Sequence, residues 1–199
     1  HTKGDKSMCV VLGRDTRESG VALAEAMIAG FKRHSVKVLD GGVTPTPAVA
    51  RSVIEQNADL GVAVTASHNP AHDNGIKLFD PGGRKFDEDE ECLIEELLDA
   101  VPVPPEGLLA AKGDPFDAST SYINDLRALM EQNCLKGWKI VLDTANGATS
   151  LTSPAVIRWW GADLHVIGGD PNGSNINAGV GSECPGPLSQ AVVEQNANI

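Results

Sequence analysis

The sequence predicts an α/β protein with one complete domain and most of a second. Two observations carry this. Apolar runs of strand length alternate with helically spaced apolar positions along the whole chain. A stretch over 101–115, with four prolines and two glycines, splits that alternation into two units. The expected division is a first domain over 1–102, a linker over 103–115 and a second domain over 116–199. With 199 residues and 41% hydrophobic content, the chain can bury a core of this kind.

The elements follow in order. Residues 8–12 read as a strand that Gly13 ends. Asp15 to Ser19 read as the cap of a helix over 21–32, with Leu23, Met27, Ile28 and Phe31 near one face. A strand over 36–40 stops at Gly41-Gly42. Pro45 and Pro47 suit the first turn of a helix reaching about residue 57. The uninterrupted apolar run 60–64 is a buried strand. Residues 77–80, a Pro81-Gly82-Gly83 turn and Lys85-Phe86 form a hairpin pattern. Asp87 or Asp89 starts a helix to about residue 98, where the acidic run suits the positive end of the helix dipole. Asp117 is the N-cap of a helix over 118–132 with Ile123, Leu126, Leu129 and Met130 at helical spacing. A strand over 138–143, a helix over 153–160, a strand over 163–167 and a helix over 188–196 complete the chain.

A weak repeat crosses the two units. Residues 52–60 resemble residues 191–199, and in the first copy a strand follows at once. The second copy is expected to lead into a strand in the same way, so the chain is expected to be a piece of a longer protein.

Charge and cysteine usage narrow the function. The net charge is −11, from 16 Lys and Arg against 27 Asp and Glu, which argues against nonspecific binding of nucleic acid. No apolar run is long enough to span a membrane. The spacings of Cys9, Cys92, Cys134 and Cys184 fit no metal-site pattern. They read as thiols of a reducing compartment, with the cytoplasm as the expected location.

The chemistry centres on Thr65-Ala66-Ser67-His68-Asn69-Pro70. Ser67 sits at the carboxyl end of a core strand, where open α/β sheets bind ligands. A serine there can be a nucleophile or a phosphate carrier, and a generic turn serine uses the same residue type. His68 can contact a phosphate or order the loop. Lys77 can act as a general acid/base if burial or neighbouring cations lower its pKa, and is otherwise a surface lysine. Arg14 and Arg17, beside a helix start, can hold an anion or form a capping salt bridge. Residues 143–147 and 172–177 also follow strands, with turn chemistry that needs no ligand.

Taken together, these stretches resemble the α-D-phosphohexomutase superfamily. Residues 65–70 followed by Asp73-Asn74-Gly75-Ile76-Lys77 are similar to its phosphoserine signature. Residues 13–17 and 44–50 resemble its first-domain motifs, and residues 143–148 and 171–177 its second domain, in the wording of the phosphoglucosamine mutase branch. The resemblance implies a mixed sheet flanked by helices in each domain. It implies a serine, matching Ser67, that carries a phosphoryl group, gives it to a sugar monophosphate and recovers the other phosphate from a bisphosphate intermediate. It also implies Lys77 as general acid/base and His68 in the catalytic loop. Arg14, Arg17 and Asn69 are the phosphate-side contacts on this reading. A Mg²⁺ ion would be bound by the phosphoserine and three aspartates. The partners implied are a hexose or hexosamine phosphate, a hexose bisphosphate and a second copy of the chain in a homodimer.

The family's Gly-Ile-Arg-Gly segment has no counterpart before Met8, and its Asp-Gly-Asp-Gly-Asp-Arg metal loop would follow Ile199. Ser67 is therefore the one Mg²⁺ ligand expected here, and the chain alone is expected to be inactive. The competing readings are a phosphomannomutase or phosphoglucomutase, and a non-catalytic binding module that kept the fold.

Overall fold

The computed structural model describes residues 7–101 and 110–199. Its elements are β1 (Cys9–Arg14), α1 (Ser19–Arg33), β2 (Lys37–Val43), α2 (Thr46–Glu55), β3 (Leu60–Val64), β4 (Ile76–Phe79), α3 (Glu88–Ala100), β5 (Asp114–Pro115), α4 (Ala118–Ala128), β6 (Lys139–Asp143), a 3₁₀ turn (Ala148–Ser150), α5 (Thr152–Trp159), β7 (Asp163–Ile167) and α6 (Gly186–Glu194).

The first sheet runs β4-β3-β1-β2-β5, with β4 antiparallel to β3 and the other pairs parallel. Alternate residues of the central strands feed two cores. Val10, Leu12, Val38, Val62 and Val64 pack with Ala24 and Ile28 of α1 on one face. Val11, Leu39, Ala63 and Phe79 pack with Val49 and Val53 of α2 on the other. Both faces are thus covered, which is why the strands read as continuous apolar runs. At Gly61 a Cβ would lie 2.5 Å from Val53 Cγ2, so a glycine lets α2 lie close against β3.

The second sheet pairs β6 and β7 in parallel, Lys139 opposite Asp163 through Asp143 opposite Ile167. α5 and α6 pack on it, and α4 lies between α2 and α5.

Several elements depart from the sequence reading. β2 does not stop at Gly41-Gly42. It runs on to Val43 through a bulge, because Gly42 takes φ +59 and donates its N–H to Asp40 Oδ1 at 2.9 Å. α1 begins at Ser19 with Glu18 at its N-cap and no side-chain cap bond, while Asp15 accepts from the buried Arg17. Leu23 is exposed, and the buried stripe of α1 is Gly20, Ala24, Ile28 and Ala29. The second arm of the expected hairpin is a single bridge, Phe79 to Lys85. α3 starts with a capping box between Asp87 and Glu90, yet buries no residue. Asp114–Pro115, expected in the linker, joins the first sheet beside β2. Residues 103–109 of that linker, like residue 102 before it, lie outside the described residues. α4 ends at Ala128, four residues short of the expected 132, so Leu129 and Met130 fall outside it and are exposed.

Among the described residues no helix is long and apolar enough to cross a membrane. Cys9, Cys92, Cys134 and Cys184 form no disulfide.

Candidate active site

β1, β3 and β6 deliver their carboxyl ends to one region of the molecule. Arg14 ends β1, Thr65 follows β3 and Thr144 follows β6. All three line a cavity of about 290 Å³ that also holds Ser67, Thr149 and Asn177. The position is the one that ligand sites of open α/β sheets favour.

Ser67 is exposed and sits at φ +57, a left-handed conformation that costs a non-glycine residue of order 1–3 kcal/mol. A buried network holds it there. Ser67 N–H donates to Thr65 Oγ1 at 3.1 Å, and the Thr65 hydroxyl donates to Asp15 Oδ2 at 2.6 Å. Asp15 also accepts from Arg17, from N–H on Oδ1 at 3.0 Å and from Nε on Oδ2 at 2.9 Å.

The Arg17 side chain is fully buried, 0% exposed. Its Nη1 donates to the carbonyls of Pro70 and Asp73, and its Nη2 to those of Ser67 at 3.1 Å and Asn69 at 2.9 Å. All three guanidinium nitrogens are therefore engaged by the protein, which offsets the cost of burying the ion pair. In this arrangement Arg17, expected as a phosphate contact, fastens the serine loop from beneath. The first turn of α1 is likewise closed to an anion at Glu18, whose N–H donates to Gly173 O at 2.9 Å.

Arg14 closes β1. It is half-buried, lines the cavity with Ser67, and donates from Nη1 to Asp15 O at 3.2 Å. Asn69 braces the loop, donating from Nδ2 to Asp73 Oδ2 at 3.1 Å, while its carbonyl receives Arg17. His68 is exposed and lines a different cavity, of about 580 Å³, together with His72 and Glu183. Lys77 lies in β4 opposite Ala63, half-buried and not among the residues lining the Ser67 cavity. The structure therefore brings Ser67 and Arg14 into one cavity, whose lining does not include His68 or Lys77.

Sequence reasoning missed the contribution of the second sheet. Residues 143–147 and 172–177 have turn chemistry that needs no ligand, yet Thr144, Ala145, Gly147, Ile176 and Asn177 from them line the Ser67 cavity. Their signal was the one that pointed to Ser67: each follows a strand of an α/β unit. Among the described residues no cluster of three His, Cys, Asp or Glu side chains could hold a metal ion. Ser67, once phosphorylated, would offer oxygen ligands, too few alone for the octahedral preference of Mg²⁺.

Residues 1–102 match the family described as phosphoglucomutase/phosphomannomutase, alpha/beta/alpha domain I. The chain belongs to this family. Among curated relatives it is 45% identical to the phosphoglucosamine mutase of Paenarthrobacter aurescens over 199 residues, covering 100% of this chain and 44% of that protein. It is 42% identical to the phosphoglucosamine mutase of Staphylococcus carnosus over 203 aligned residues, covering 100% of this chain and 45% of that one. The chain thus spans less than half the length of these phosphohexomutase relatives. A putative phosphomannomutase from Thermus thermophilus superposes with a TM-score of 0.71 at 26% identity, covering 96% of this chain and 43% of that one. A phosphoglucomutase/phosphomannomutase family protein from Burkholderia thailandensis shares the fold with a TM-score of 0.66 at 24% identity, over 84% of this chain and 37% of that one.

Proposed function

We propose that these residues form the phosphoserine-bearing part of a cytoplasmic phosphoglucosamine mutase, which interconverts glucosamine 6-phosphate and glucosamine 1-phosphate. The observation that carries the reading is Ser67. It is an exposed hydroxyl at the carboxyl end of a core strand, in a left-handed conformation held by a buried network, beside Arg14 in a cavity between two sheets. A serine held this firmly with its side chain exposed suits a group that must be presented to a ligand.

In the proposed reaction, phosphorylated Ser67 meets a sugar monophosphate. The bond between Ser67 Oγ and phosphorus breaks as the free sugar hydroxyl bonds to phosphorus; the hydroxyl proton leaves to a base, which we assign to Lys77, and the released Ser67 Oγ takes up a proton from solvent. The bisphosphate then presents its other phosphate. That sugar–phosphate bond breaks as Ser67 Oγ loses its proton to solvent and bonds to phosphorus, and the proton held by Lys77 returns to the freed sugar oxygen. Phosphoryl groups are conserved over the cycle. Arg14 supplies positive charge beside Ser67, in keeping with catalysis by positioning and charge neutralisation. Mg²⁺ is implied for the whole protein, but the residues described here do not complete its site and no step is derived through it.

The choice of glucosamine phosphate rests on relatives 42–45% identical over the whole chain. The phosphomannomutase alternative rests on a structure 26% identical. The test uses the whole protein. Mass mapping should place one phosphoryl group on Ser67, and Ser67→Ala should lose conversion of glucosamine 6-phosphate while its unfolding midpoint stays that of the parent. Turnover at the parent's rate in Ser67→Ala would overturn the assignment.

A further inference from the structure

We propose that Asn177 is a positioning residue for Ser67, through which the loops of the second sheet set the geometry of phosphoryl transfer. The proposal rests on the mutase reading above.

Asn177 Nδ2 donates to two carbonyls of the serine loop, Ser67 O and Asn69 O, at 3.0 Å each. These two carbonyls also receive Arg17 Nη2 from below. Each carbonyl has two lone pairs, so the two donors complete rather than compete. The peptide linking Ser67 to His68 is thereby gripped from both units. Rotating it would swing Ser67 Oγ, and an error of about 1 Å in a reacting atom can cost about a hundredfold in rate.

The second sheet bears strain to hold Asn177 there. Asn177 sits at φ +59, Ala145 at +54 and Asn146 at +51, three left-handed non-glycine residues in one loop cluster. Asn177 N–H donates to Ala145 O at 2.9 Å. Asp143, the last residue of β6, accepts from Ala145 N–H at 2.8 Å and from Gly181 N–H at 2.6 Å, clasping both sides of the Asn177 loop. Asn146 is buried, accepts from Asp170 N–H at 3.1 Å and receives the Thr16 hydroxyl on its carbonyl at 2.6 Å. β6 is thus connected through Asp143, Ala145 and Asn177 to the backbone of Ser67. Asparagine suits the position because it tolerates φ > 0 and carries a side-chain N–H₂ donor.

The experiment uses the whole mutase with Asn177→Gly, which keeps the left-handed backbone and deletes the amide, and Asn177→Asp, which keeps the shape and deletes the donor. Hydrogen exchange across residues 65–75 gives a readout independent of turnover. Both variants should exchange faster at the Ser67 and Asn69 N–H groups. In both, kcat should fall about ten- to a hundredfold, with KM for the sugar phosphate within about twofold, the signature of a misplaced reacting group rather than lost binding. Exchange at the parent's rate, or kcat within about twofold of the parent in both variants, would overturn the proposal. Turnover that survives Ser67→Ala strikes the mutase reading itself, and the exchange rates then still decide whether Asn177 holds the loop.

Discussion

Asp59 and Asn198 do the same thing on two different sheets. Asp59 Oδ2 accepts the N–H of Cys9, the first residue of β1, at 2.8 Å, and its own N–H returns a bond to Cys9 O at 2.8 Å. Asn198 Oδ1 accepts the N–H of Lys139, the first residue of β6, at 2.8 Å, and its N–H returns a bond to Lys139 O at 2.8 Å. Leu60 then opens β3 beside β1, and Ile199 O accepts from Val141 N–H of β6 at 2.9 Å. The faint repeat between residues 52–60 and 191–199 is therefore a repeat of structure. In each copy a helix ends and an Asp or Asn latches the chain onto the neighbouring strand.

This latch gives the first prediction. Asp59→Ala leaves the Cys9 N–H without this acceptor, at a cost of about 1–3 kcal/mol. Asp59→Asn keeps the acceptor and should recover most of the loss, as Asn198 does in the second unit. Urea unfolding of the three proteins measures it. Equal midpoints for the Ala and Asn variants would show that the latch contributes nothing.

Arg17 gives the second. Arg17→Met strands the buried Asp15 carboxylate without its cation, which costs about 3–5 kcal/mol. Arg17→Lys restores a charge, but a single ammonium cannot fork to Asp15 and four carbonyls at once, so it should rescue only part of the stability. Proteolysis within 67–73 should rise in both variants, because the loop loses its fastening. A loss below about 1 kcal/mol in Arg17→Met would show that the pair is dispensable.

Strands buried on both faces were the most legible part of the sequence. β3 occupies the residues expected, because an apolar run flanked by turn residues has little else it can form. Asp117 was legible as an N-cap for a local reason: its side chain reaches the Ser119 and Thr120 N–H groups. Features decided by tertiary contact were not legible. Asp15 has the residue type of a cap, but α1 starts after Glu18 and Asp15 pairs instead with the buried guanidinium of Arg17. Glycines that usually end strands instead form a bulge in β2. In the site, the serine loop was visible as a motif, whereas Asn177 entered it through a contact between loops far apart in the chain.

Asp117 gives a prediction in pH. Hydrogen bonding from Thr120, by its side chain first and then its backbone N–H, with Ser119 N–H adding to it, holds the carboxyl below its ordinary value of 3.8. A depressed carboxylate stabilises the fold fully above its unfolded pKa, and that stabilisation is lost as pH falls through the lower folded value. The parent should therefore lose stability as the solution is taken from about pH 5 down past the aspartate range. Asp117→Asn keeps the cap, so its stability near neutrality should match the parent's, and its acid slope should be shallower. Superimposable acid unfolding curves for the two would remove Asp117 from the account of acid sensitivity.

Thr65 joins the buried ion pair to the serine. Its hydroxyl donates to Asp15 Oδ2 at 2.6 Å and accepts Ser67 N–H at 3.1 Å, so it transmits the rigidity of the Asp15–Arg17 pair to the residue at φ +57. Thr65→Val is close in volume and removes only the hydroxyl, leaving the Ser67 N–H without this acceptor at a cost of about 1–3 kcal/mol. Arg17 still neutralises Asp15, so the sheet should stay folded while the loop loosens. In the whole protein Thr65→Val should lower kcat for sugar phosphate conversion about tenfold or more. Thr65→Ser, which keeps the hydroxyl and loses a methyl, should stay within about threefold of the parent. The contrast between the two variants isolates the hydroxyl from packing. Equal kcat values for Thr65→Val and Thr65→Ser would mean that Ser67 keeps its geometry without this relay, and that Arg17 and Asn177 at the Ser67 carbonyl suffice.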